Sequence, residues 1–149
     1  ELKFHGGNIR QRKRKVRRPL ATKDPIHLVL KSNKSLSLFF ELGVVKHYID
    51  KYSAKFHIRI YSLSVQHDHI HFLIKIEDRS SYKKFIRTLT GILARKYGKG
   101  IWSLSPFTRV LSWGREYETT RTYISQNEDE IWGLRPYKSR KHRYQKYMA

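Results

Sequence analysis

The sequence predicts an α+β domain with the element order β-α-β-β-α-β, followed by one further helix. Residues 70, 72, 74 and 76 are all apolar, and three of the four residues that alternate with them from position 69 to 75 are His or Lys, as in a half-buried strand. Two segments carry apolar residues at helical spacing, and short β-branched or aromatic runs flank them. This order is typical of a ferredoxin-like fold, an antiparallel sheet with helices on one face. The other face is expected to be free of helices.

The individual elements follow from the same patterns. Residues 26–31 are aliphatic and β-branched and predict the first strand, and apolar positions at helical spacing predict a helix over residues 38–54. Strands are expected over residues 56–65 and 69–76, joined by a polar turn at His67 and Asp68. A second amphipathic helix begins near Tyr82 and stops at the glycines of residues 97–100. A last strand over residues 107–111 and a final helix over residues 115–131 complete the domain.

The chain divides into one domain and two basic ends. We expect a flexible arm over residues 1–24, a domain over residues 25–134 and a tail over residues 135–149. The arm carries a dense run of like charges, which repel one another and bury little surface. It is either a solvated leader or a segment that contacts DNA phosphates, and its charge favours the second. The run consists of Arg10, Arg12, Lys13, Arg14, Lys15, Arg17 and Arg18.

Charge indicates the kind of partner. The 149 residues include 32 Lys and Arg against 12 Asp and Glu, a formal net charge of +20. A field of this sign attracts polyanions, and nucleic acid is the expected partner ahead of an acidic membrane surface or an RNA scaffold. The absence of cysteine excludes disulfides and thiolate metal sites. No apolar run approaches the roughly 20 residues that span a bilayer, and no apolar segment follows the basic start, so we expect a cytoplasmic protein with no membrane partner.

Two histidines share one face of the strand at residues 69–76. Because side chains alternate along a strand, Ile70 and Phe72 point towards the helices while His69 and His71 point to the other side. Residues two apart on a strand face lie about 7 Å apart at Cα, close enough for both imidazoles to bind one cation. A pair of strand histidines can also be purely structural, and two histidines alone are an incomplete metal site. The direction of His67, in the turn, cannot be read from the sequence.

The final helix places a hydroxyl and an amide on one lateral side. Tyr117, Ile124 and Ile131 repeat every seven residues and mark its buried stripe. Tyr123 lies at the edge of this stripe, and Asn127 follows four residues later on the same side. Packing alone requires neither residue type there, although most of the ten tyrosines in the chain must be structural.

These two motifs together resemble a known family. His69-Ile70-His71 resembles the histidine-hydrophobic-histidine motif of HUH endonucleases. The segment from Tyr123 to Asn127 is similar to the tyrosine helix of REP-associated tyrosine transposases, bacterial relatives of the single-tyrosine insertion-sequence transposases. The order and spacing of the motifs also match, and the resemblance covers residues 25–133.

The resemblance implies a nuclease and strand transferase that acts on single-stranded or hairpin DNA. By this analogy Tyr123 is the catalytic nucleophile and forms a 5′-phosphotyrosine. His69 and His71 would hold Mg²⁺ or Mn²⁺, with Asn127 as third ligand and Gln126 in reserve. It also implies a nucleoid-associated bacterial protein, and a homodimer is an open alternative.

The chain departs from the family pattern at two positions. Relatives commonly carry Asn where this chain has Asp68, and often Pro where it has Glu128. Neither change removes a proposed ligand or the nucleophile, but the first could retune the metal site.

Further DNA contacts are expected on the face of the histidines and on the final helix. Besides the basic run of the arm, the candidates are Lys75, Arg109, Arg115 and Arg121, each of which could equally be a solvated surface charge. Three tryptophans could stack on unpaired bases or pack structurally, and packing is the favoured interpretation. They are Trp102, Trp113 and Trp132.

Other functional classes remain open at this point. The chain could be a DNA- or RNA-binding module that keeps the fold without catalysis, although the intact trio of His69, His71 and Tyr123 argues against decay. A basic RNA-associated protein would be expected to carry aromatic residues on the sheet face where histidines stand. A two-histidine phosphodiesterase would need a second histidine motif, which His27 and His57 do not supply.

Overall fold

The computed structural model describes residues 3–7, 17–32, 38–102 and 104–138. Their strands form one five-stranded antiparallel sheet in the order β1-β5-β2-β4-β3. The strands are β1 (Phe4–Gly7), β2 (Ile26–Lys31), β3 (Arg59–Val65), β4 (His69–Lys75) and β5 (Ser105–Val110). The helices are α1 (Leu42–Lys55), preceded by a 3₁₀ turn at Leu38–Glu41, α2 (Arg79–Tyr97) and α3 (Arg115–Ile131).

The predicted fold class is confirmed. From β2 to β5 the elements follow the order β-α-β-β-α-β, and the final helix spans the residues expected of it. The strand expected from residue 56 begins at Arg59 instead, because α1 continues to Lys55 and His57 adopts a positive φ of 56° in the turn that follows. An extended strand cannot pass through that backbone conformation.

The larger core lies between one face of the sheet and two helices. Ile70, Phe72 and Ile74 of β4 are fully buried there, as their alternation predicts. The Phe72 ring meets Phe85 of α2 edge to face at 6.2 Å between centroids. This apolar row fixes the register of β4, because a shift by one residue would turn the row away from the helices.

The opposite face of the sheet is not open, contrary to the sequence-based expectation. Helix α3 packs on it, where Ile124 is fully buried in a small second core with Leu73 and Leu111. The apolar stripe of α3 predicted that this helix buries one side, but a stripe does not specify which face of a sheet receives it. As a result, β4 is covered on both faces.

The N-terminal segment contributes structure that the sequence analysis assigned to a flexible arm. Strand β1 pairs with β5 at the sheet edge and contains a register shift between His5 and Gly7. Gly6 occupies that irregularity with φ +94°, and a Cβ there would lie 1.9 Å from the carbonyl oxygen of Pro106. Only glycine fits both the conformation and the close approach. The expectation of a flexible arm is therefore wrong for residues 4–7.

Arg18 ties the following segment to the same strand. Its guanidinium donates hydrogen bonds to the carbonyl oxygen of Pro106 at 2.6 Å, to Thr108 Oγ1 at 2.9 Å and to Ser105 Oγ at 2.9 Å. The carbonyl oxygen of Arg18 in turn accepts from Arg79 of α2. These contacts occupy the guanidinium in holding the chain against β5, whereas Arg17 beside it is exposed. The expected DNA contacts Arg10, Arg12, Lys13, Arg14 and Lys15 lie outside the described residues.

Among the described helices, none is both long enough and apolar enough to cross a bilayer.

Candidate active site

The two histidines of the sequence motif lie on the sheet face that α3 covers. His71 is 1% exposed and His69 is partly exposed. Their ring centroids are 4.8 Å apart, with the planes nearly perpendicular. The expectation that alternation brings the two imidazoles together is met, and the helix on this face encloses the inner one.

Asp68 orients the outer histidine. Its Oδ1 lies 2.6 Å from His69 Nδ1, the distance of a charge-assisted hydrogen bond. This bond, more than any other contact, holds the pKa of the Asp68 carboxyl below its ordinary value. The carboxylate therefore accepts a hydrogen bond from Nδ1–H, and Nε2 is the ring nitrogen through which His69 would bind a cation.

His27 of β2 lies against the inner histidine. Its Nε2 is 3.1 Å from His71 Nδ1, and the rings are nearly parallel at 5.3 Å between centroids. Burial, with a smaller contribution from the positive charge of Arg109, lowers the pKa of His27 to about 4. His27 is therefore neutral at pH 7, and the tautomers of the two rings decide which of the two facing nitrogens donates the hydrogen bond.

Helix α3 brings Tyr123 to these imidazoles. The Tyr123 ring stands edge to face with His71 at 5.5 Å between centroids and with His27 at 6.3 Å. Burial of the neighbouring Ile124 fixes the rotation of the helix, so that Tyr123 at the edge of the stripe faces the histidines. Tyrosine and histidine motifs that are 52 residues apart in the sequence thus meet within one chain.

Asn127 is buried one helical turn beyond Tyr123. The backbone carbonyl oxygen of Asn127 accepts a hydrogen bond from Gln66 Nε2 at 3.1 Å, while the backbone N–H of Gln66 donates to the backbone carbonyl oxygen of His69. Gln66 thereby connects α3 to the histidine strand at the level of the motif. Gln126 is less buried than Asn127.

The basic residues expected to bind DNA have different surroundings. Arg115 and Arg121 are exposed on α3, and Lys75 stands at the far end of β4 from the histidines. Arg109 pairs with Glu116 at 3.0 Å. Hydrogen bonds from Ser112, followed by the charges of Arg109 and Lys3, hold the pKa of the Glu116 carboxyl below its ordinary value.

The three tryptophans all donate a hydrogen bond within the protein. Trp102 packs against the large core and donates to the carbonyl oxygen of Thr90. Trp113 donates to the carbonyl oxygen of Lys23, and Trp132 to Glu128 Oε1. Trp113 and Trp132 are nevertheless about half exposed.

The arrangement fits a divalent cation by its donor chemistry. Each motif histidine is engaged through Nδ1, which is how metal-binding histidines are commonly oriented by their surroundings. Asn127 is buried, and its backbone is linked to the same strand through Gln66. No three His, Cys, Asp or Glu side chains gather as a metal-binding group in the described part of the chain.

His27 is the residue that sequence reasoning missed. Its signal was present, because Ile26, Leu28 and Leu30 face the helices and alternation therefore places His27 on the face of the motif histidines. The sheet order puts β2 directly beside β4. The contact depends on which strands become neighbours, and the pattern of a single strand does not specify that.

Residues 25–131 match the family described as "Transposase IS200 like". This match covers most of the chain, which belongs to the IS200-like transposase family. Among curated protein sequences none matches the chain significantly.

Two solved structures are similar in fold. The first, described as the REP-associated tyrosine transposase bound to a REP hairpin, is 17% identical, with a TM-score of 0.63 over 77% of this chain and 72% of that one. The second is a candidate transposase from Deinococcus radiodurans R1, 17% identical with a TM-score of 0.49 over 78% of this chain and 98% of that one. At this identity the first similarity supports the fold alone.

Proposed function

We propose that the protein is a metal-dependent endonuclease and strand transferase of single-stranded DNA that cleaves through a 5′-phosphotyrosine at Tyr123. The observation that carries the proposal is the meeting of Tyr123 with His71 at 5.5 Å, and of His71 with His69 at 4.8 Å, on one covered sheet face. Membership of a transposase family supports DNA as the substrate. The hairpin bound to the REP-associated relative suggests hairpin DNA as the form to test first.

The chemistry is an exchange of phosphodiester bonds. Tyr123 Oη attacks the scissile phosphorus and loses its proton, the bond from phosphorus to the 3′ oxygen breaks, and that oxygen takes up a proton. The products are a 5′-phosphotyrosine and a 3′-hydroxyl. Covalent attachment conserves the bond, so a 3′-hydroxyl can reverse the reaction and join strands without a nucleotide cofactor.

His69 and His71 would hold Mg²⁺ or Mn²⁺ through Nε2, with Asn127 as the third protein ligand. The bound ion would neutralise charge on the scissile phosphate as its pentacovalent state forms. Because both imidazoles and the amide are neutral ligands, they leave the positive charge of the ion undiminished. The charged Asp68 is hydrogen-bonded to His69 and would therefore act on the ion through that ligand, not by binding the ion itself.

DNA is held in part by exposed positive charge. Arg115 and Arg121 project from the helix that bears Tyr123, and Arg17 from the segment before β2. Each phosphate that such a group neutralises releases counterions, so binding weakens steeply as salt increases. Lys75, Arg109 and Arg18 complete the proposed set within the described residues, although the last two have internal partners. A homodimer is compatible with this site but not required, because Tyr123 reaches the histidines of its own chain.

The test is a covalent adduct between protein and labelled DNA. Single-stranded hairpin oligonucleotides taken from the repeats that flank the gene are incubated with the protein and Mg²⁺ or Mn²⁺, then separated on a denaturing gel. A 5′-phosphotyrosine retains the downstream fragment, so a 3′-label should move with the protein while a 5′-label is released on a shortened strand. The adduct should disappear with chelator and in Tyr123→Phe. Tyr117→Phe is the matched control, since Tyr117 lies on the same helix and packs against Tyr61.

Each other outcome contradicts a defined part of the proposal. An adduct that survives Tyr123→Phe means that another nucleophile acts. An adduct that carries the 5′-label reverses the polarity of cleavage. Binding without an adduct on every such substrate would make the protein a DNA-binding module that has kept the fold without catalysis.

A further inference from the structure

The contact between His27 and His71 is specific in geometry. The two residues face the same side of adjacent strands, diagonally offset, because His27 pairs with Leu73 and His71 pairs with Val29. Both side chains are buried, and His27 Nε2 lies 3.1 Å from His71 Nδ1. The rings are nearly parallel, with 19° between their planes, and their burial in a close-packed interior restricts the rotation of either imidazole.

Two tautomeric arrangements satisfy this hydrogen bond, and they differ in what His71 can do. If His27 Nε2 donates, His71 carries its proton on Nε2, and that nitrogen has no lone pair for a metal. If His71 Nδ1 donates, His27 accepts through Nε2 and carries its own proton on Nδ1. Only the second arrangement prepares His71 Nε2 as a ligand.

We propose that His27 is a positioning residue of the metal site: its Nε2 accepts a hydrogen bond from the Nδ1–H of His71 and so fixes the plane and tautomer in which His71 binds the cation. The inference rests on the proposed function, because it concerns the same ion. His27 acts on the inner histidine as Asp68 acts on the outer one, but without adding charge. The site therefore has one charged and one neutral acceptor behind its two imidazole ligands.

A direct ligand role for His27 is less consistent with the contacts. Its Nε2 is hydrogen-bonded to His71, and binding a cation through that nitrogen would break the bond to the buried Nδ1 of His71. Such a loss is costly because both imidazoles are buried. Catalytic contact with substrate is likewise not needed to explain its position between Phe107 and Tyr123.

The test combines a tautomer measurement with metal binding, both without DNA. In ¹⁵N-labelled metal-free protein, the ring nitrogens of His71 should report a protonated Nδ1. His27→Gln keeps an acceptor oxygen near the position of Nε2, and His27→Phe keeps a flat ring without one. We expect His27→Phe to shift His71 towards the Nε2 tautomer and to weaken Mn²⁺ binding about 10- to 100-fold. The affinity of His27→Gln for Mn²⁺ should stay within about threefold of the wild type. Paramagnetic broadening of the His71 signals measures Mn²⁺ binding in each protein. Val29→Ala controls for lost packing beside His71 and should keep the wild-type tautomer.

Two results would overturn the inference. One is a wild-type His71 that carries its proton on Nε2. This measurement needs only the wild-type protein, so it remains decisive even if a variant fails to fold. The other is a folded His27→Phe that binds Mn²⁺ as tightly as the wild type. If millimolar Mn²⁺ broadens neither His69 nor His71 in the wild type, the metal part of the proposed function fails, and the measured tautomer still decides the orientation of His71.

Discussion

Buried His27 should make the folded protein sensitive to acid over a defined range of pH. Its pKa is lowered to about 4 from an ordinary 6.5, first by burial and then by Arg109. Between these values the unfolded chain binds a proton at this position and the folded protein does not. The free energy of unfolding therefore falls as the pH decreases through this range and is unaffected by this group above it. The difference of about 2.5 pH units corresponds to about 3 kcal/mol, with each unit contributing about 1.4 kcal/mol.

Urea unfolding with chelator at pH 7.5 and pH 4 measures this effect. Other groups titrate as well, so the informative quantity is the comparison with His27→Gln, which cannot ionise at this position. Between the two pH values the wild type should lose about 3 kcal/mol more of its free energy of unfolding than the variant does. Equal losses in both proteins would refute the reasoning, because they would mean that His27 is charged in the folded state or has access to water.

Two further predictions concern Asp68 and the first strand. Asp68→Asn retains an acceptor for His69, and its affinity for Mn²⁺, from the same broadening measurement, should stay within a few-fold of the wild type. Asp68→Ala should bind Mn²⁺ at least about 10-fold more weakly. Equal affinities of the wild type and both variants would contradict the orienting role of Asp68. Gly6→Ala should detach the first strand from β5 and accelerate hydrogen exchange of the Val110 amide, which donates to the carbonyl oxygen of Lys3. The Leu111 amide, which donates to Pro25, is the internal control, and unchanged exchange at Val110 would show that the strand tolerates a Cβ.

The sequence specified the elements whose patterns are local and strong. Ile70, Phe72 and Ile74 are fully buried because a strand of that alternation can satisfy its apolar side in only one way. Helix α3 begins and ends where its periodicity predicts. The proximity of His69 and His71 follows from the strand alone, and their proximity to Tyr123 was predicted only by family resemblance.

What could not be predicted depends on contacts between distant segments. Strand β1 has four residues and two glycines, so its own propensity for a strand is low. It is formed by pairing with β5 and by the hydrogen bonds of Arg18 to residues about 90 positions away. Likewise, the stripe of α3 gave no indication of which sheet face would receive it, and the bond between His27 and His71 crosses 44 positions.

The sheet separates two cores of very different size, and this has a consequence for local unfolding. Helices α1 and α2 bury a continuous apolar layer against one face, whereas α3 packs on the other in a smaller cluster of Ile124 with Leu73 and Leu111, which Tyr61, Tyr117 and Tyr123 flank. Segments with little buried apolar surface open at a lower free energy than the whole domain. We therefore expect the helix that carries Tyr123 to open at a lower free energy than α1 and α2, so that the candidate nucleophile can leave its histidines while the sheet that positions them stays folded.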